Sequence, residues 1–130
     1  SHAHPDHQQG DALVKEAAGG AMVMAMEQDV AGLKSMKAPS GKPHPIDRVL
    51  KDGDEVTLGG ATLTAHLTPG HTRGCTTWTT RVADGGRTYD VLIACAGLQE
   101  GARLVNNTAY PEIAEDFAKS IRISSLIPHC

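Results

Sequence analysis

The sequence predicts an α/β fold, because helix-like and strand-like patterns alternate along it. A short apolar run at residues 21–26 lies between two helix-like segments, residues 11–18 and 27–36, an order typical of an α/β layer. Strands rich in Thr, Val and Leu follow, and an amphipathic helix is predicted at residues 111–122. The length of 130 residues is enough for one domain.

The first half of the chain is punctuated by clear start and stop signals. Asp11 can serve as the cap or first-turn acid of the first helix, and Gly19-Gly20 ends it. The four methionines, all between positions 22 and 36, are interpreted as core residues that fill gaps. Residues 38–47 contain three prolines and a glycine, so a surface loop is expected there.

The second half contains turn signals that divide it into a set of antiparallel hairpins. The expected strands are residues 48–50, 55–58, 61–67, 76–82 and 89–94. In the last helix, Pro111 suits the first helical position. Ile113, Phe117 and Ile121 follow at a spacing of four residues, which predicts one buried stripe.

Composition argues against several classes of protein. The net charge is −3 and the sequence has no Lys/Arg cluster, so no nucleic-acid partner is expected. No apolar run reaches the ~18 residues of a membrane span, so no membrane partner is expected. The three cysteines give an odd count without a CxxC pair, and no disulfide framework is expected. Cys95 is interpreted as a buried strand residue rather than a metal ligand.

The start of the chain carries the strongest chemical pattern. The sequence SHAHPDH places His2, His4, Asp6 and His7 within six residues, and zinc binds such imidazole and carboxylate groups. His2 and His4 are one residue apart, so an extended segment points both side chains the same way. A turn at Pro5 would let Asp6 and His7 serve a second metal. A purification tag is the alternative, but the Ala, Pro and Asp between the histidines argue against it.

Two later histidines are further candidate ligands. His71 lies in the TPGHT sequence, where a Pro-Gly turn displays it at the end of a strand, 64 residues after His7. His129 follows Pro128 near the end of the chain. His44 and His66 fit no ligand spacing and are interpreted as structural.

These motifs resemble those of a known family. HAHPDH resembles the HxHxDH signature of the metallo-β-lactamase superfamily, and TPGHTRGCTTW resembles the next histidine motif of the third subclass of class B metallo-β-lactamases. LVNNTAYPEIAEDFAKSIR, residues 104–122, is similar to their helix-entry segment. The resemblance implies a four-layered αβ/βα sandwich with metals at the edge between its sheets. Residues 1–130 would form its C-terminal larger part, a partial domain without the N-terminal strands.

The resemblance also implies a metal set and an activity. His2, His4 and His71 would bind one zinc ion, and Asp6, His7 and His129 a second. A metal-bound hydroxide, oriented by Asp6, would hydrolyse the amide bond of a small-molecule β-lactam antibiotic. By the same resemblance, the protein would be periplasmic or secreted.

Other functions remain open at this point. Glyoxalase II-like thioester hydrolases share the first motif, and resemble one another in a bridging Asp at the end of the strand that follows the second motif. Here Asp90 stands at the opposite end of that strand. The third subclass usually carries serines just past this strand, where this chain has Ala96, Gly97 and Leu98. If His129 is displaced, Cys130 is a competing ligand for the second zinc ion. An inactive zinc-binding fragment is the remaining alternative.

Overall fold

The computed structural model describes residues 2–95 and 97–126. The predictions for His129 and Cys130, and the substrate-binding position at Ala96, lie outside these residues. The elements in chain order are α1 (Pro5–Gln8), α2 (Asp11–Ala17), β1 (Met24–Met26), a 3₁₀ turn (Glu27–Asp29), α3 (Val30–Ser35), β2 (Arg48–Leu50), β3 (Glu55–Leu58), β4 (Ala61–Leu67), β5 (Thr76–Asp84), β6 (Arg87–Ile93) and α4 (Ile113–Leu126).

The strands form two sheets, and the mixture of helices and sheets confirms the α/β prediction. The four strands β3 to β6 form an antiparallel sheet in sequence order. The pairing of Leu67 with Thr76 fixes the register of β4 and β5, and that of Asp84 with Arg87 closes a two-residue hairpin between β5 and β6. Both glycines of that hairpin have positive φ, as such a tight turn requires.

The two-stranded sheet corrects one prediction. Residues 48–50 were expected to join the antiparallel hairpins, but β2 pairs in parallel with β1, with Met26 opposite Leu50. A three-residue strand carries no periodicity that reports its direction, so only the connection through α3 decides it. The apolar run 21–26 also supplies a shorter strand than predicted, and the helix predicted at 27–36 divides into the 3₁₀ turn and α3.

The core lies where the two sheets meet. Met26 of β1, Leu50 of β2 and Ala65 of β4 are almost completely buried and form one cluster. Val56 and Trp78 of the larger sheet pack against this cluster. Removing a Leu or Met side chain from water contributes about 1.5–3 kcal/mol, so this contact is a main source of stability. It also holds the end of β4, from which the loop with His71 departs.

Helix α4 packs against that loop. Ile113 is buried and Phe117 contacts Gly70, as two members of the predicted stripe should. Ile121 is 55% exposed, so the prediction is wrong at the third position. Ser120, one residue earlier, is buried there and donates a hydrogen bond to the Pro69 carbonyl oxygen at 2.5 Å. Among the helices of the described segments, none is long and apolar enough to span a membrane.

A disulfide bond contradicts the expectation drawn from the cysteine count. Cys75, just before β5, is bonded to Cys95, just after β6, across 20 residues of sequence. Both cysteines are buried, as Cys95 was expected to be. Beside them, the Thr68 hydroxyl lies 2.8 Å from the Thr77 hydroxyl and donates to the Cys95 carbonyl at 3.0 Å. The bond and its polar surroundings fix the end of β6 to the His71 loop.

Candidate metal centre

The segment before α1 presents the first two histidines. His4 is extended (φ −103°, ψ 143°) and caps α1, its carbonyl oxygen accepting hydrogen bonds from the His7 and Gln8 amides. Pro5 follows at the first helical position, where its missing N–H is not needed. The His2 and His4 rings meet edge to face, with centroids 4.8 Å apart. The spacing of one residue therefore brings the two imidazoles together, as the sequence predicts.

The third histidine arrives on the loop between β4 and β5. Gly70 has φ +135°, and a Cβ there would lie 3.1 Å from the Phe117 side chain, so the turn requires glycine. This turn places the His71 ring 4.4 Å from the His2 ring and 4.9 Å from the His4 ring. Residues 67 positions apart in sequence thus converge at one point.

The three imidazoles have the composition and spacing of a metal site. One nitrogen from each of His2, His4 and His71 lies within 4.8 Å of the others. Ligands on a tetrahedral zinc ion are separated by about 3.3 Å, which small side-chain rotations would reach. In the described part of the chain, the buried His2 Nε2 atom has no hydrogen-bond partner, an arrangement that a metal would satisfy. Three neutral imidazoles leave the fourth position open, as catalytic zinc sites do.

Burial and neighbouring charges lower the pKa of two of these imidazoles, His2 and His71. Burial lowers the pKa of His2 to about 4, helped by the neighbouring His71, His4 and His7. Burial also lowers the pKa of His71, together with His4 and His7 and against the opposing effect of Asp6 and Asp29. Because only neutral imidazole binds a metal, both side chains are ready ligands at neutral pH.

This low pKa predicts how the stability of the metal-free protein depends on pH. As pH falls from about 6.5 to about 4, His2 becomes protonated in the unfolded chain but stays neutral in the folded chain. The unfolded state therefore binds more protons, and the free energy of unfolding decreases with falling pH. Urea unfolding of chelator-treated protein across this range measures the slope. His2→Gln should reduce the slope of unfolding free energy against pH, and the control His66→Gln should not. Equal slopes in the wild type and both variants would contradict the assignment of the pH dependence to His2.

Asp6 and His7 lie beside this cluster on α1. Their side chains are largely exposed, with His7 Nε2 3.4 Å from Asp6 Oδ2. The His7 ring lies 4.4 Å from the His2 ring. The structure thus brings together two of the three residues predicted for a second metal, and the third, His129, lies outside the described residues.

Other chemistry-bearing residues have local partners. The buried His44 side chain places Nε2 3.1 Å from Asp11 Oδ2, and His66 Nε2 lies 2.7 Å from Thr79 Oγ1. Neither belongs to the His2, His4 and His71 cluster. The disulfide-bonded Cys95 places Sγ 3.7 Å from His2 Nδ1, so it packs against the first histidine.

The NNTAYP segment, residues 106–111, packs against the second histidine motif through Arg73. The Arg73 guanidinium lies 4.1 Å above the Tyr110 ring, a cation–π contact, and Arg73 also donates to the Ala109 carbonyl. Tyr110 donates to Asp116 Oδ2 at 2.6 Å, and burial and this carboxylate raise the pKa of its phenol. Asn107 Oδ1 accepts hydrogen bonds from the amides of Ala109 and Tyr110. No motif or spacing in the sequence predicts these contacts, or a role for the buried Asp29.

Both solved structures and curated proteins are similar to this chain. The native metallo-β-lactamase of Legionella gormanii matches with a TM-score of 0.84 and 43% identity, over 95% of this chain and 51% of that one. A class B3 di-zinc metallo-β-lactamase from an Alaskan soil metagenome matches with a TM-score of 0.82 and 29% identity, over 98% of this chain and 52% of that one. The hydroxyacylglutathione hydrolase of Hyphomonas neptunium is 44% identical over 77 residues, 57% of this chain and 25% of that protein.

No protein-family model matches the chain. The chain spans about half the length of these solved structures and a quarter of the curated relative. Over nearly all of this chain, its fold is that of the class B3 enzymes, and the curated relative is also a hydrolase. Together with the convergence of its two histidine motifs, these similarities show that the chain belongs to the metallo-β-lactamase superfamily.

Proposed function

We propose that this chain carries the metal ligands of a zinc-dependent hydrolase that opens the amide bond of β-lactam antibiotics. The observation that carries the proposal is the cluster of His2, His4 and His71, whose nitrogen atoms lie within 4.8 Å of one another. The resemblance of the motifs and the similarity to class B3 β-lactamases support the same choice.

The proposed roles follow from the position of each side chain. His2, His4 and His71 would hold one zinc ion as neutral imidazoles, and Asp6 and His7, with His129, would hold a second. Bound zinc lowers the pKa of water and polarises a carbonyl, so no protein nucleophile is required. The exposed Asp6 carboxylate, next to His7, would accept a hydrogen bond from the attacking water and orient it.

Thioester hydrolysis is the second candidate, because a curated relative is a hydroxyacylglutathione hydrolase. Two observations weigh against it. Cys95, just after the end of β6, has a side chain that carries no carboxylate and is held in a disulfide. Asp90 lies within β6, opposite Arg81, with the Arg81 Nε atom 3.3 Å from its carboxylate. This geometry favours the β-lactam substrate.

The disulfide also supports a periplasmic or secreted address. Bonds between cysteines persist in oxidising compartments and are rare in the reducing cytosol. The Cys75–Cys95 bond would therefore form after export. The protein would be recovered from each compartment and reacted with a thiol-specific reagent, with and without prior reduction. The difference between the two counts of reactive thiols gives the number of cysteines that are bonded.

The function is tested with zinc-loaded protein and two substrate classes. We expect bound zinc and hydrolysis of nitrocefin or a carbapenem, both abolished by a chelator and restored by added zinc. S-lactoylglutathione serves as the comparison substrate. Faster turnover of the thioester would instead assign the chain to the glyoxalase II-like branch. Zinc binding without turnover of either class would identify an inactive zinc-binding fragment.

A further inference from the structure

Asp29, at the end of the 3₁₀ turn, is a buried carboxylate with three hydrogen bonds. Its Oδ2 atom accepts from the Ala3 amide and from the Thr72 hydroxyl, each at 2.9 Å. Its Oδ1 atom accepts from the Gly74 amide at 2.8 Å. The residue is 6% exposed, so these bonds replace the water that a carboxylate requires.

The partners of this carboxylate belong to the two histidine segments. Ala3 lies between His2 and His4, and Thr72 directly follows His71. A single carboxylate oxygen therefore ties the segment with the first two imidazoles to the loop with the third.

Asp29 lies so close to the loop that carries His71 that position 74 of this loop accepts only glycine. A Cβ at Gly74 would lie 2.5 Å from Asp29 Cγ and 2.7 Å from the Asp29 backbone nitrogen. Glycine is therefore required for the carboxylate to reach the loop. Local sequence signals predicted neither this contact nor the hydrogen bonds that it permits.

We propose that Asp29 is a positioning residue that sets the distance between the His2–His4 segment and His71. The inference rests on the metal site of the proposed function, and adds a residue that does not touch the metal. Groups that orient metal ligands through hydrogen bonds, without touching the metal, commonly change metal affinity about 10–100-fold when they are replaced. A carboxylate bonded to both ligand-bearing segments should act in the same way.

The first test is Asp29→Asn in the full chain. Asparagine offers one acceptor oxygen in place of two, so either orientation of its amide loses at least one of the three bonds. We expect zinc affinity, measured by competition with a chromophoric chelator, to fall about 10-fold or more. The visible absorption of the cobalt-substituted protein should also change, because the ligand geometry relaxes. Asp47→Asn is the matched control, since Asp47 joins the Val23 amide to Lys15 instead, and it should keep wild-type affinity.

The second test removes one bond only. Thr72→Val deletes the hydroxyl that donates to Asp29, whereas Thr72→Ser retains it. We expect Thr72→Val to weaken zinc binding by a smaller factor than Asp29→Asn, and Thr72→Ser to restore it. This pair decides the matter if Asp29→Asn does not fold.

The outcomes separate positioning from a merely structural role. Folded Asp29→Asn protein with a lower Tm but wild-type zinc affinity and cobalt spectrum would overturn the inference. Equal affinity of Thr72→Val and Thr72→Ser would do so as well. Failure of the unsubstituted chain to bind zinc would overturn the proposed metal site itself. A loss of affinity confined to the Asp29 and Thr72→Val variants would support the positioning role.

Discussion

Replacing His71 with alanine should lower the zinc affinity of the chain by at least about 100-fold. Replacement of a group that only orients a ligand lowers metal affinity by up to about 100-fold, and loss of a direct ligand should cost more. The reason is that His71 is the one member of the His2, His4 and His71 cluster supplied by the loop between β4 and β5. Two histidines from a single short segment leave the ion half coordinated, and any β-lactam turnover should be lost with it. Equilibrium dialysis with zinc analysis, followed by nitrocefin hydrolysis, measures both effects.

His66→Ala is the matched control for this experiment. His66 lies on the neighbouring strand β4 and contacts Thr79 outside the cluster, so its removal tests the loss of an imidazole from the same region. Zinc affinity and turnover should remain within a small factor of the wild-type values. A His71→Ala protein that binds zinc as tightly as the His66→Ala protein would contradict the assigned ligand set.

Reduction of the Cys75–Cys95 disulfide should destabilise the protein by about 3 kcal/mol. The bond closes a loop of 20 residues, and opening it returns conformational entropy to the unfolded chain. For a protein of this size, that loss corresponds to a decrease in Tm of about 10 °C. Thermal unfolding of the oxidised and reduced proteins, both without zinc, measures the difference.

Cysteine variants separate the bond from the effects of the reductant. Cys75→Ser with Cys95→Ser should have the lower Tm under oxidising conditions, and added reductant should not lower it further. Cys130→Ser, which leaves the pair intact, should behave as the wild type in both conditions. A reduced wild type as stable as the oxidised form would show that the bond adds nothing to stability.

The sequence was most informative where a local pattern decides the structure. Strands β3 and β4 have the predicted bounds, because the glycine turn between them and the Thr/Leu alternation act over a few residues. Helix α2 ends within one residue of the prediction, with Gly19 at φ +67° just after its cap. The convergence of His2, His4 and His71 was expected from motif resemblance, since no local rule relates positions 67 residues apart.

What could not be predicted depends on tertiary neighbours. Asp29 is typical of an ordinary first-turn acid until the Ala3 and Thr72 donors are placed beside it. The 20-residue separation of Cys75 and Cys95 gives no distance between them, and only the pairing of β5 with β6 brings them to a Cα separation of 5.7 Å. Ile121 has the spacing of a core residue but faces outward, because Ser120 occupies the contact with Pro69.

The convergence of two distant segments has a thermodynamic consequence. His4 and His71 are near each other only in the folded chain, so an ion held by the cluster favours the native state by mass action. Free zinc at about 100 times its dissociation constant would add about 2.7 kcal/mol to the free energy of unfolding. The temperature at which the protein melts would then depend on the zinc concentration of its surroundings, so zinc-starved protein would be the form most exposed to proteases.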